Sequence, residues 1–200
     1  MDTSEYRHQE TIEISRSPEA LYGLVADVSR MGQWSPVCTG GSYDEDGEWF
    51  TGTNAMGEAS WETRCRVVVA EPGHEFVFIN HGLEGRVEMV RWGFLFEPIA
   101  GGGTEVTQTW EVLPDYADGL GLDDESAVGV LEIMKNAALE GMPQTLAALK
   151  ADAESSPCQR AFPRHRRESR YNRPRPVFRD AFKQPSCAFA RMSCRERLLT

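Results

Sequence analysis

The spacing of hydrophobic positions changes twice along the chain. Over residues 6–15 (YRHQETIEIS), Ile12 and Ile14 alternate against Glu13, the period of a strand. Leu21, Leu24, Val25 and Val28 then recur at helical spacing on one face. Between the two, Ser17 suits an N-cap, Pro18 the first helical position, and Glu19 the positive end of a helix. A second short helix is predicted over about 29–33. It ends near Trp34, because the residue before Pro36 avoids helical geometry.

From there the period is two. Strands are predicted near 38–44, 49–56, 61–70, 74–80, 86–97 and 104–113. Turn residues separate them: Asp44-Glu45-Asp46-Gly47, Gly57-Glu58, Glu71-Pro72-Gly73, His81-Gly82 and Gly101-Gly102-Gly103. Six strands joined by short turns make an antiparallel meander. The GGGT stretch lacks the lysine of a phosphate loop and precedes a strand, so it reads as a hairpin turn. Residues 114–123 read as a loop. A long helix is predicted over 124–153, with Val130, Met134, Ala138, Met142, Leu146 and Leu149 on one stripe. Gly141 and Pro143 predict a kink in it, since proline removes a donor and crowds the carbonyl one turn back.

After Ser156 neither period persists. Residues 156–200 are rich in Arg, Pro, Ser and Cys, and read as a disordered basic tail. Charge divides at the same place. Residues 1–155 hold 28 acids against 9 Lys/Arg, a net −19, and the tail holds 3 against 12, a net +9. The tail reads as a solvated segment, as a surface-binding arm, or as an out-of-frame extension of a normal domain, which sequencing across codons 145–165 distinguishes. The acidic body repels nucleic acid and anionic membrane surfaces. No apolar run approaches the ~20 residues that span a bilayer. The polar start MDTSEYRHQE does not read as a signal peptide, so the expected compartment is cytoplasmic. Cys38, Cys65, Cys158, Cys187 and Cys194 are odd in number and form no C-x-x-C. Cys38 and Cys65 read as small core residues.

Alternation also assigns faces. Phe50, Gly52 and Asn54 share one face of their strand, as do Trp61, Thr63, Cys65 and Val67 of theirs. Phe76, Phe78 and Asn80 form a third set, Trp92, Phe94 and Phe96 a fourth, and Val106, Gln108 and Trp110 a fifth. The hydroxyl-rich and acidic sets belong outside, with Arg64, Arg66 and Arg91. The inward set is therefore aromatic with a few neutral polar groups, and Met134 and Met142 of the long helix face it. Such aromatics either fill a core or line a small-molecule site. An inward amide without a partner costs roughly 1–3 kcal/mol, so Asn54, Asn80 and Gln108 need one another, water or a ligand. The histidines His8, His74, His81 and His165 show no ligand spacing, and there is no G-x-S-x-G. No metal and no cofactor are expected, and no catalytic residue is identified.

Several stretches, in order, resemble the polyketide cyclase/dehydrase and lipid-transport family of the START-like (SRPBCC) helix-grip superfamily. They are SPEALYGLVADVSRMGQWSP, GEWFTGTN, the WET at 61–63, EPGHEFVF, the WGFLFE at 92–97, GGTEVTQTWEV and GMPQTLAALK. The resemblance runs over about 11–150 and implies an α+β fold. A curved antiparallel sheet of about seven strands wraps a long C-terminal helix, with two short helices after the first strand and a cavity between sheet and helix. Residues 1–155 would be that ligand-binding domain. Trp34 would stand where the short helices hand over to the sheet, as a plug or a wall. The implied function is binding of a hydrophobic small molecule, lipid or polyketide-like. The alternative is a cyclase/aromatase-type enzyme working through cavity shape, and a third is an interaction module with a vestigial cavity. The expected ligand-binding residues are Trp34, Asn54, Trp61, Phe78, Asn80, Trp92, Phe94, Gln108, Trp110, Met134 and Met142.

Overall fold

The computed structural model describes residues 2–82 and 85–155. Strand β1 (Arg7–Ile14) leads into helix α1 (Pro18–Ala26). Ser17 is extended (φ −71°, ψ 152°), and its side chain accepts the Ala20 amide at 3.4 Å, so the predicted cap forms with Pro18 inside it. Asp27 ends α1 and opens a 3-10 turn, Val28–Gln33, its Oδ1 accepting the Ser29 amide at 3.3 Å. Ser35 then redirects the chain: its Oγ accepts the amides of Val37 and Cys38 at 3.3 and 2.9 Å.

The meander follows as β2 (Cys38–Tyr43), β3 (Trp49–Met56), β4 (Ala59–Glu71), β5 (Glu75–Gly82), β6 (Val87–Pro98) and β7 (Thr104–Val112). All pairings are antiparallel, in one sheet ordered β1-β7-β6-β5-β4-β3-β2. The first strand thus closes onto the last, with Ile12 opposite Val106. Bulges interrupt the register between Val67 and Val69 and between Asn80 and His81. Each shifts the alternation by one residue beyond it.

Two elements differ from the sequence reading. The expected loop at 114–123 contains a one-turn helix, α2 (Tyr116–Leu120). Five residues carry too little period to be read; burial of Tyr116 and Ala117 against Met89, Trp110 and Val112 holds the turn. The seat is close: a Cβ on Gly82 would stand 2.1 Å from the Gly119 carbonyl oxygen, so only glycine fits. Helix α3 (Asp124–Ser155) runs on as helix through Gly141 and Pro143. Pro143 removes one intrahelical bond, while Gly141, Met142, Thr145 and Leu146 around it are buried and packed. Gly141 is a notch: a Cβ there would meet Pro36 Cγ at 3.2 Å. The buried stripe also starts differently, on Ala127 and Leu131, while Val130 and Met134 stay half-buried. Ala127 and Leu131 pack with Tyr116 and Ala117, so α2, absent from the sequence reading, rotates the covered face.

The C-terminal half of α3 is fastened to the start of the chain. Lys150 Nζ donates to the Glu13 carbonyl at 2.7 Å, Glu154 accepts the Ser15 amide at 2.9 Å, and Arg30 pairs with Asp152 at 2.8 Å. No helix among the described residues is long and apolar enough to cross a membrane. The basic segment 156–200, with Cys158, Cys187, Cys194 and His165, lies outside the described residues.

Candidate functional site

The register gathers the alternating residues onto one inner face. Phe76 stands opposite Phe94, Phe78 opposite Trp92, Trp92 opposite Trp110 and Phe94 opposite Gln108. At one end this face is sealed. Phe50, Phe76, Phe94, Phe96 and Val106 are 2% exposed or less. Tyr22 of α1 meets Phe76 and Phe96 edge-on, with centroids 6.2 and 6.1 Å apart. Trp34 meets Phe94 the same way at 6.0 Å. Trp34 is 5% exposed, so it is a closed wall at the corner where the 3-10 turn hands over to β2.

Toward the other end the inner positions open. Asn54, Trp61, Thr63, Asn80, Val90 and Trp92 are half-buried, as is Met134 on α3. A polar ladder crosses three strands here. Asn54 Nδ2 on β3 donates to Thr63 Oγ1 on β4 at 2.6 Å and to the Gly52 carbonyl at 3.5 Å. Cys65 Sγ, also on β4, donates to Asn80 Oδ1 on β5 at 3.2 Å. The Gly52 carbonyl can only accept, which fixes the orientation of the Asn54 amide. Asn54 Oδ1 and Asn80 Nδ2 keep no partner among the described residues.

The expected site residues therefore divide. Trp34, Phe78 and Phe94 belong to one buried cluster, and Trp110 and Met142 to a second. Trp92 packs against both and joins them. Asn54, Trp61, Asn80, Trp92 and Met134 keep accessible surface. The three amides do not bond one another: β4, β5 and β6 separate Asn54 from Gln108. Gln108 is 5% exposed, and its Oε1 has no hydrogen-bond partner among the described residues.

Sequence reading missed three features. His8 and Glu10 lie on the inner face of β1, opposite Trp110 and Gln108, with His8 Nε2 2.7 Å from Glu10 Oε1. The signal was available, because both alternate in phase with Ile12 and Ile14. The second lies on the outer face, where His81 is buried against the Trp49 ring at 4.8 Å and Arg64 stands 5.1 Å over the same ring. Burial holds the His81 imidazole below its ordinary value. The third is an outer-face concavity of about 790 Å³, bordered by Arg7, Val68, Val69, Val77, Arg91 and Leu95. It adjoins the bulge that the unalternating Val67-Val68-Val69 run conceals.

No activated nucleophile stands on the inner face. Burial pushes the Cys65 thiol up to about 12, and it raises Cys38 as well. Among the described residues no group of three or more His, Cys, Asp or Glu is placed to hold a metal ion. The open wall exposes the Trp92 and Trp61 side chains at separate register positions, with one acceptor and one donor on the strands between and beside them.

A family model described as polyketide cyclase/dehydrase and lipid transport matches residues 7–154. No curated protein matches. Among solved structures, a Polyketide_cyc-like protein from Corynebacterium glutamicum is 34% identical, with 74% of this chain and 91% of that one covered at a TM-score of 0.51. A START superfamily protein from Mycobacterium smegmatis is 17% identical, covering 74% and 97% at a TM-score of 0.53. An aromatase/cyclase from Streptomyces sp. R1128 is 13% identical, covering 74% and 93%, also at 0.53. The last two are likenesses of fold.

Proposed function

Because the chain belongs to the polyketide cyclase/dehydrase and lipid-transport family, we propose that it binds a hydrophobic small molecule, lipid or polyketide-like, between the open half of the inner face and the N-terminal half of α3. One observation carries this reading. Side chains that alternation points inward stay half-buried at Asn54, Trp61, Asn80 and Trp92, as does Met134 on α3, although large apolar groups there ordinarily close together. An apolar wall with a few convergent polar groups is the usual form of a small-molecule site.

Native mass spectrometry of the purified full chain, with extraction of any bound molecule, tests it. The expected result is a co-purifying apolar compound whose occupancy falls in Trp92→Ala. A bare mass for the native chain, together with no response of Trp92 fluorescence to hydrophobic additives, overturns it. The family's own description favours a second reading, a cyclase-type enzyme. In that case Asn54→Ala abolishes turnover while affinity changes less than about tenfold, ~1.4 kcal/mol. In the binding reading affinity itself falls and no product forms.

A further inference from the structure

We infer that the site selects uncharged amphipathic ligands, an aromatic or polyene body carrying a hydroxyl, amide or carbonyl group, and rejects carboxylates and phosphates. This rests on the inner face being a binding site, and it names the ligand's chemistry. An anion leaving water for a site of low polarity needs a cation or several converging N–H donors. The arginines of the sheet and the lysines of α3 are turned elsewhere, and His8, inward on β1, lies 2.7 Å from Glu10 Oε1. Arg7, Arg64, Arg66 and Arg91, the arginines of the sheet, stand at outer-face register positions, Arg7 and Arg91 both opposite Glu111. Arg64 is bonded to Asp44 at 2.9 Å, and Arg66 and Arg91 stand 3.8 and 3.9 Å from Glu88 and Glu111. On α3, Lys135 lies 5.0 Å over the Tyr6 ring and Lys150 is bonded to the β1 backbone.

What remains on the open wall is neutral and matched. The ladder leaves Asn54 Oδ1 as an acceptor and Asn80 Nδ2 as a donor, one strand to either side of Thr63 and Cys65. The two stand at register positions four residues apart along β4, opposite Trp61 and Cys65, so a ligand with a hydroxyl or amide N–H at one point and a carbonyl at another presents both complements. A carboxylate presents acceptors alone and offers nothing to the Asn54 oxygen. The acid on the inner side of the sheet, Glu10, adds negative charge, as does the net −19 of residues 1–155.

A matched pair of probes tests the inference on the full chain near neutral pH: a naphthamide and the corresponding naphthoate, titrated by calorimetry. The naphthamide is expected to bind at least about tenfold more tightly, ~1.4 kcal/mol. Asn80→Ala is expected to weaken the naphthamide several-fold and leave the naphthoate unchanged. Asn80→Lys, if circular dichroism shows it folded, is expected to reverse the order. Naphthoate binding as tightly as naphthamide to the native chain overturns the selectivity and leaves the binding site standing. Failure of both probes, with no hydrophobic competitor binding either, overturns the site and the selectivity together.

Discussion

The two halves of the inner face are made by the same strands and end differently. On β6, Phe96 and Phe94 are 2% exposed, and Trp92 and Val90, next in the same alternation, are half-buried. On β5 the change comes between Phe78 and Asn80, and on β3 between Gly52 and Asn54. Strand period decides which face a residue takes; the covering layer decides whether that residue is sealed. Over the closed half lie α1 and the 3-10 turn, through Tyr22 and Trp34. Helix α3 runs along β1 and β7, and its fastened end reaches Glu13 and Ser15. Its N-terminal half rests on α2 through Ala127 and Leu131. The comparison teaches that an open wall here is a property of helix placement, not of strand sequence.

Substitution can break that contrast directly. Phe94→Ala should lose about 3–5 kcal/mol of stability in denaturant unfolding, because a sealed, close-packed site cannot relax around the hole. Trp92→Ala should lose less than half as much and should instead weaken ligand binding. Equal losses at the two positions would erase the distinction between the halves. A smaller effect is expected at Gln108, buried beside the closed half with an unpartnered oxygen. Gln108→Leu should be neutral or stabilise by up to about 1–2 kcal/mol, read as the unfolding midpoint, since it removes an unsatisfied polar group. A loss resembling that of Phe94→Ala would mean the amide is held by a partner such as ordered water.

The smallest effect is a pH dependence that should leave the inner face untouched. Burial lowers the His81 imidazole below 6.5 in the folded chain, so the unfolded chain takes up the proton first. Its contribution is fully present above about 6.5 and drains away as pH falls below that value. His81→Phe should flatten this acid limb of the stability curve. Ligand affinity should not follow the same limb, because His81 packs on Trp49 across the sheet from Asn54 and Trp92.

Much of this was legible where local chemistry and global packing agree. Ser17-Pro18 announces a helix start and forms one, and the turn at Asp44–Gly47 bounds β2 and β3 where the period implies. Alternation assigned the inner aromatics strand by strand, and the pairing register puts them together. What escaped depends on contacts with other elements. Five residues at Tyr116–Leu120 form a helix because Met89 and Trp110 bury them, and that helix in turn rotates the covered stripe of α3. The bulge at Val68 resets the period without a glycine or proline to mark it, and the one beside His81 shifts the register where Gly82 had been read as a turn. Glu10 received no face in the sequence reading; register with Gln108 places it inward on an edge strand, where solvent still reaches it. Sequence also named three inward amides as one set, and sheet order separates Asn54 from Gln108.

The pairing of β1 with β7 sets an order in time. Strands β2 to β7 form hairpin by hairpin, each beside the strand just made. Strand β1, synthesised first, cannot pair until β7 exists, with Arg7 waiting for Glu111. Closing so long a loop carries an entropic penalty and slows folding. The α3 clamp onto Glu13 and Ser15 comes later still. The first residues translated are therefore among the last to lose their freedom, and the sheet stays an unfinished ribbon until β7, which ends at Val112, has left the ribosome.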